Sequence, residues 1–381
     1  MEPSEAPRLP PLTVALVCPY SLSRPGGVQG QVVGLARALG RRDHRVTVFA
    51  PLDAQTDAPD GITLEATGRS VALPANGSVA PVTLSVPAVV RAVRDLRAGG
   101  FDLVHVHEPF TPGVPYGLLV ARGLPPLVAT FHRSGGSPFY EVLKPLTSRL
   151  ARRLRVRCAV SPAARATAEA ALGGTYEVGF NGVEVERFTG VEPWPTGGPT
   201  ILFLGRHEER KGLGVLLDAF ERRRGGDEGP TLWVAGDGPL TAGLRRRHPE
   251  APDLHWLGVL PEEEKLRRLV AADVVCAPSL GGESFGMVLV ESMAARALVV
   301  ASDIDGYRQA AGGHALLFPP DDVEALSDGL ARALTEVGTA DAGSGTGRLD
   351  QAAEWAAHWS MDRLADWYEA VYRSVVVRPG P

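Results

Sequence analysis

"TVALVCPYSLSRPGGVQGQVVGLARAL", residues 13–39, runs an unbroken apolar stretch into a glycine pair and then into a helix-period pattern. An apolar run without polar alternation reads as a strand covered on both faces, the habit of parallel sheets. Gly26 and Gly27 allow the backbone a close approach to whatever lies beyond the strand end. The helix that follows offers unpaired N–H groups and the positive end of its dipole, so a phosphate is a natural guest. A plain tight turn explains the same glycine pair, and the stretch alone leaves that choice open.

The same strand, loop and helix recur along the chain. In the first half the candidate strands are 13–18, 45–50, 101–107, 126–131, 157–160 and 176–180; in the second they are 200–205, 231–236, 254–258, 273–278 and 298–302. The pattern predicts an α/β class with two Rossmann-like, doubly wound parallel-sheet domains facing a central cleft. A length of 381 residues fits two domains better than one. Prolines and glycines interrupt any period in "RFTGVEPWPTGGPT", 187–200. The expected divisions are therefore a loose tail (1–11), an N-terminal domain (12–190), a C-terminal domain (191–360) and a terminal helix near 361–381 that packs back on the first domain. The stretch 335–347 reads as a mobile surface connection, and Trp355, Trp359 and Trp367 as packing residues of the helices after it.

Composition narrows the function classes. The chain is 44% apolar and 22% charged, with no run near the roughly 18–20 apolar residues of a membrane span. The acidic, proline-rich start has no apolar core and is unlike a signal peptide. Cys18, Cys158 and Cys276 lie far apart in apolar settings without metal-ligand spacing, so they read as buried thiols of a reduced, cytoplasmic protein. Residues 1–190 carry 20 Lys+Arg against 15 Asp+Glu, and residues 191–381 carry 19 against 29. The basic front half suits an anionic partner or is simply solvated surface. Nucleic acid is excluded by the acidic second half and the lack of aromatics interleaved with the basic residues.

In open parallel sheets, ligands bind beyond the carboxyl ends of the strands. "GRHEERKG", 205–212, follows the first strand of the second half, and Arg206, Arg210 and Lys211 suit diphosphate oxygens or a solvated helix end. "LGVLPEEEKL", 257–266, places Glu262 and Lys265 at a loop that can frame a base. "LGGESFGMVLVE", 280–291, sets Glu283 on the loop and Glu291 on an apolar helix face, with Ser284, Phe285 and Gly286 presenting N–H groups where the helix starts. Two such carboxylates can hold two sets of hydroxyls, a sugar and a ribose, on either side of a phosphate. In the first half His105 and His107 share a strand face without a third metal ligand, and His132 ends a strand beside a glycine loop.

Taken in order, "CPYSLSRPGGVQ", "HVHEP", "ATFH", "FLGR", "RKG", "LGGESFGMVLVE" and "VVASD" resemble the retaining GT-B glycosyltransferases of the GT4 type. Within them the chain is similar to the actinobacterial phosphatidylinositol mannosyltransferases over nearly its whole length. The resemblance implies GDP-mannose as donor, phosphatidylinositol as acceptor, retention of anomeric configuration, no metal or other cofactor, and peripheral attachment at the inner face of the cell membrane. It implies that Gly27, Arg206 and Lys211 contact the diphosphate and that Ser284, Phe285, Gly286 and Met287 form the phosphate-and-base loop. Glu291 then holds the ribose, Glu283 the mannose hydroxyls, and Leu260, Glu262 and Lys265 lie near the guanine. His132 touches the transferred sugar, Tyr20 and Gln29 flank the inositol, and Arg133 is a further acceptor-side cation. The catalytic set so implied is His132, Glu283, Arg206 and Lys211.

Three positions depart from the family: Pro81 and Ser137 where it carries basic residues, and Phe110 where it carries asparagine. All three bear on the acceptor. Two other readings stay open on the sequence: a transferase for another sugar nucleotide and a soluble or natural-product acceptor, and a non-catalytic nucleotide-sugar binder. For the membrane, "VPAVVRAVRDLR", 86–97, predicts a helix with Val89, Val90, Val93 and Leu96 on one face and Arg91, Arg94 and Arg97 on the other. Such a helix lies on anionic lipid or simply covers a core.

Overall fold

In the computed structural model the described residues are 10–24, 26–53, 62–75, 78–133, 144–223, 229–339 and 346–376. They form two units, Met1–Gly182 with Met361–Pro381, and Val183–Ser360. The break falls at 182/183, where the sequence reading set it at 190/191. Residues 1–9 of the expected tail lie outside the described residues.

The first unit holds a parallel sheet of β1 (Thr13–Val17), β2 (Arg45–Ala50), β3 (Thr63–Ala66), β6 (Leu103–His107), β7 (Leu127–Phe131), β8 (Leu154–Ala159) and β9 (Glu177–Val178), in the order β3-β2-β1-β6-β7-β8-β9. A separate antiparallel hairpin, β4 (Val71–Ala75) and β5 (Ser78–Val82), joins the loop after β1 through a Tyr20–Val82 bridge. Most apolar runs predicted as strands are buried on both sides, β1, β6 and β7 almost completely, whereas β9 is exposed and a later strand, Leu254–Gly258, is only half-buried. Helix Gly27–Gly40 packs on one face of the sheet, and the terminal helix Met361–Val375 packs on it, with Met361, Leu364, Ala365, Tyr368 and Tyr372 in the same core. Arg42 pairs with Asp362 at 2.7 Å and with Asp366 at 2.8 Å to fix that contact at its rim.

The second unit is a six-stranded parallel sheet of β10 (Thr200–Leu204), β11 (Thr231–Ala235), β12 (Leu254–Gly258), β13 (Val274–Ala277), β14 (Leu298–Ser302) and β15 (Ala315–Phe318). Its order, β12-β11-β10-β13-β14-β15, reverses direction between β10 and β13. That reversal opens a crevice at the strand ends, and the loops after β10 and β13 line it. Cys18, Cys158 and Cys276 are buried free thiols in the two cores, and burial pushes the Cys18 and Cys158 thiols up to about 12.

Several elements differ from expectation. β3, the hairpin and β15 were not anticipated. Residues 335–339, expected as part of a loose connection, continue the helix Val323–Thr339; 340–345 lie outside the described residues. Val90 does not join the buried face of helix Val86–Ala98: Val93 and Leu96 are buried, whereas Val86 and Val90, one turn apart, are 70% and 62% exposed. Trp355 and Trp359 pack in the second unit, and Trp367 lies against Gly179 in the first.

Candidate functional site

Around the β10/β13 reversal, glycine geometry builds the second unit's site. Gly212 has φ +65, and a Cβ there would lie 1.9 Å from the Pro278 carbonyl oxygen, so only glycine lets the loops after β10 and β13 touch. Leu280 N–H donates to the Arg210 carbonyl at 2.8 Å across the same junction. Helix Met287–Ala294 starts two residues later than the pattern indicates, because Gly286 at φ +89 is its N-cap. No side chain caps that end and its first turn carries no acid, so the positive end of its dipole favours an anion. Phe285, just before it, is core, edge-on to Trp359 at 4.8 Å.

Cations and carboxylates converge here. Lys211 Nζ lies 2.6 Å from Glu283 Oε1, and Arg210 Nη1 lies 2.9 Å from the same oxygen. Ser279 donates to Glu283 at 3.3 Å and shares a 2.8 Å hydrogen bond with Tyr307, whose ring fills the space beside Gly286. Buried Glu208 grips two arginines, Arg206 and Arg210, each at 3.0 Å. A second pair, Lys265 Nζ to Glu291 Oε1, closes at 2.8 Å with both side chains about one-fifth exposed. Burial by itself would lower the Lys265 pKa, but the charges of Glu291 and Glu262 outweigh it and raise it. Glu262 also meets Arg187 at 3.0 Å.

The first unit gathers polar groups beyond β1, β6 and β7. Glu108 has φ +46 and is buried, and its Oε1 accepts the backbone N–H groups of His132 at 2.6 Å and Arg133 at 2.9 Å. Burial raises the Glu108 pKa against those hydrogen bonds. His132 Nε2 lies 2.8 Å from His107 Nδ1, and burial, opposed by a hydrogen bond with Asn181, lowers the His132 pKa to about 4. Burial raises the Tyr20 pKa, with the Glu108 charge adding to it and a hydrogen bond with Thr111 opposing it. Gln29 donates to the carbonyls of Ser21 and Arg24, bracing the loop that carries Tyr20.

Residues 198–336 match the family described as glycosyl transferases group 1, and residues 25–187 match glycosyltransferase family 4. The phosphatidyl-myo-inositol mannosyltransferase of Mycobacterium tuberculosis is 38% identical over 340 residues, 85% of this chain and 88% of the relative. Its counterpart from Mycolicibacterium smegmatis is 39% identical over 336 residues, 85% of this chain and 84% of the relative. The chain belongs to the phosphatidyl-myo-inositol mannosyltransferase family. It is a glycosyltransferase. Among solved structures, a glycosyltransferase from Rickettsia africae superposes with a TM-score of 0.74 at 16% identity, over 97% of this chain and all of that one. Anabaena HepE in complex with UDP and glucose gives 0.68 at 16%, over 95% of this chain and all of that one. These two show the fold, two parallel-sheet domains of the GT-B type.

For this phosphatidyl-myo-inositol mannosyltransferase family member, the second unit brings Lys211, Glu283, Ser284, Gly286 and Met287 to one loop cluster and ties Lys265 to Glu291. Arg210, not Arg206, reaches Glu283; Arg206 turns to Glu208. Leu260 is partly buried against the core of the unit. In the first unit Tyr20, Gln29, His132 and Arg133 share one end of the sheet, whereas Gly27 has open space where a Cβ would project. Phe110 is buried against Phe131, with ring centroids 6.5 Å apart, and Pro81 is buried in the hairpin, its carbonyl accepting Ser21 N–H. Ser137 lies outside the described residues. Glu208, Ser279 and Tyr307 escaped the sequence reading, although Ser279 follows β13 and Glu208 follows β10, where the strand-end rule points. Among the described residues no group of three or more His, Cys, Asp or Glu is arranged to hold a metal.

Proposed function

We propose that the chain moves mannose from GDP-mannose to the inositol of phosphatidylinositol, with retention and without a metal or other cofactor, as a peripheral protein on the inner face of the cell membrane. What carries this reading is Lys211 and Arg210 closing on Glu283 beside the uncapped start of helix Met287–Ala294, in a chain of this family. A diphosphate bound there meets two cations and the positive end of the helix dipole as its charge grows. Glu283 accepts hydroxyls of the sugar, Glu291 those of the ribose, and Leu260, Glu262 and Lys265 frame the base. The departing diphosphate takes the proton of the attacking inositol hydroxyl. Arg206 supports the cluster through Glu208, and Ser284, Phe285, Gly286 and Met287 supply the turn that faces the phosphates. On the first unit, Gly27, Tyr20, Gln29, His132 and Arg133 are the groups offered to the substrates.

Membrane contact is supported by Leu84, Val86, Val90 and Val120, which are exposed in the same unit as the exposed Arg91, Arg94 and Arg97. No helix among the described residues is long and apolar enough to cross a membrane. The decisive experiment is a thermal-shift comparison of GDP-mannose, UDP-glucose and UDP-N-acetylglucosamine, with and without phosphatidylinositol vesicles. Stabilisation by GDP-mannose, enhanced by the lipid, is expected; stabilisation by a uridine donor alone overturns the substrate assignment.

A further inference from the structure

The end of β6, "HVHE", acts on His132 from two sides. Glu108 fixes its backbone, accepting the two successive N–H groups of His132 and Arg133 while itself held at a left-handed φ of +46. A non-glycine residue in that conformation persists only where its surroundings over-determine it. His107 fixes the ring: its Nδ1 lies 2.8 Å from His132 Nε2, and the two rings stack with centroids 5.1 Å apart. On its other flank His107 meets His105 at 4.3 Å between centroids. His105 has both nitrogens engaged, Nδ1 with the Tyr372 hydroxyl and Nε2 with Thr130, each at 2.7 Å.

Burial keeps both partners neutral: it lowers the His132 pKa to about 4 and takes His107 well below its ordinary value. Two neutral imidazoles sharing one N···N contact have two arrangements, set by which ring carries the bridging proton. His107 Nε2 decides between them. That nitrogen is buried and has no hydrogen-bond partner among the described residues. With the His107 proton on Nε2, a buried N–H is orphaned, the rarest kind of unpaired polar group; with the proton on Nδ1, only a bare lone pair is left.

We propose that His107 is a positioning residue: by donating from Nδ1 into Nε2 of His132 it fixes His132 as the Nδ1–H tautomer, the form that a hydrogen bond to Asn181 also favours, so that His132 offers substrate no lone pair. His132 then has no free lone pair with which to take the proton of an attacking hydroxyl. This deepens the reading of His132 as a sugar contact, and its kinetic consequence rests on that reading, whereas the tautomer itself does not.

The test is a long-range proton–nitrogen correlation spectrum of the full chain labelled with nitrogen-15 histidine, near pH 7. The chain has nine histidines, and His132 is assigned by the signals lost in His132→Phe. A protonated Nδ1 and an unprotonated Nε2 are expected for His132; the reverse overturns the proposal, whatever any variant does. His107→Leu should lower kcat roughly 10-fold or more, with the donor KM within about twofold, and shift His132 away from the single tautomer. His107→Asn, whose amide N–H stands near the place of Nδ1, should restore most of kcat, and His107→Gln, which reaches toward the place of Nε2, should not. Equal kcat in all three variants, or losses that simply follow Tm, reduces His107 to packing and refutes the proposal. Absence of transfer from every sugar nucleotide tried defeats the functional reading instead, and the spectrum still decides the tautomer.

Discussion

Replacing Lys265 with methionine keeps the length of the side chain and removes its charge, leaving the Glu291 carboxylate without its 2.8 Å partner. Breaking a fully buried ion pair by deleting one member costs about 3–5 kcal/mol, because the remaining charge stays desolvated. Here the two side chains are 20% and 18% exposed, so water relieves part of the penalty. The discounted cost is about 2 kcal/mol, and a unit of about 180 residues loses about 4–8 °C in Tm for it. Differential scanning calorimetry of the transition that covers Val183–Ser360 reads this directly. The ammonium pKa is raised above its ordinary 10.5, so the pair's contribution is complete below that value and fades only as pH climbs through the raised one. The Tm difference should therefore be constant from about pH 6 to 9. Adding Glu291→Gln to Lys265→Met removes the bare charge and should recover most of the Tm, while GDP-mannose affinity stays low. A single variant that melts within about 1 °C of the parent, or a double variant no better than the single, refutes the idea that Lys265 compensates Glu291.

Lys211→Ala should lower kcat by ~10²-fold at saturating donor, measured by release of GDP; an unchanged rate removes Lys211 from the diphosphate site. The glycines separate fold from function. Gly212→Ala drives a Cβ into the Pro278 carbonyl and should depress Tm, whereas at Gly27 a Cβ meets nothing within 4 Å, so Gly27→Ala should keep its Tm and raise the donor KM; equal melting of the two variants contradicts this. Acid should weaken the first unit. Burial lowers the pKa of His105 to about 3 and that of His132 to about 4, from an ordinary 6.5, so the unfolded chain takes up these protons first. Stability is complete above about pH 6.5 and falls as pH drops toward 4, by up to about 1.4 kcal/mol per pH unit for each histidine. The slope of Tm against pH should be shallower in His132→Phe; a flat Tm in the parent between about pH 6.5 and 4.5 refutes it.

Most strands that could be read from the sequence are buried on both faces, because burial there demands uninterrupted apolar residues; β9, exposed, and β12, half-buried, were read from shorter apolar runs. β3 is mostly exposed, the hairpin contains Pro74 and Pro81, and β15 is short and only partly buried, so none leaves a clear trace. Glu283 and Glu291 stood out because carboxylates flanking a glycine at a strand-to-helix junction are hard to explain by packing alone. Arg210, Lys211 and Lys265 stood out too, but not their pairing with the glutamates, since Arg210 and Glu283 are 73 residues apart and meet only because β10 lies next to β13. Arg206, expected on the diphosphate from its place in the motif, also pairs with Glu208, two residues on, at 3.0 Å, a contact the motif does not announce. The left-handed backbone of Glu108 and the contact between His107 and His132 depend on the register of β6 against β7, which no local pattern encodes.

The return of Met361–Val375 to the first unit also orders events on the ribosome. Helix Gly27–Gly40 lacks its covering layer until residues 361–375 have been synthesised, and His105 waits until then for the hydroxyl of Tyr372. The middle of the chain, continuous from Val183 to Ser360, is complete earlier and can finish folding while the amino-terminal half is still unsealed. A nascent chain stalled just short of residue 361 would expose an apolar face to chaperones, and expressing the first 182 residues alone would reproduce that exposure permanently.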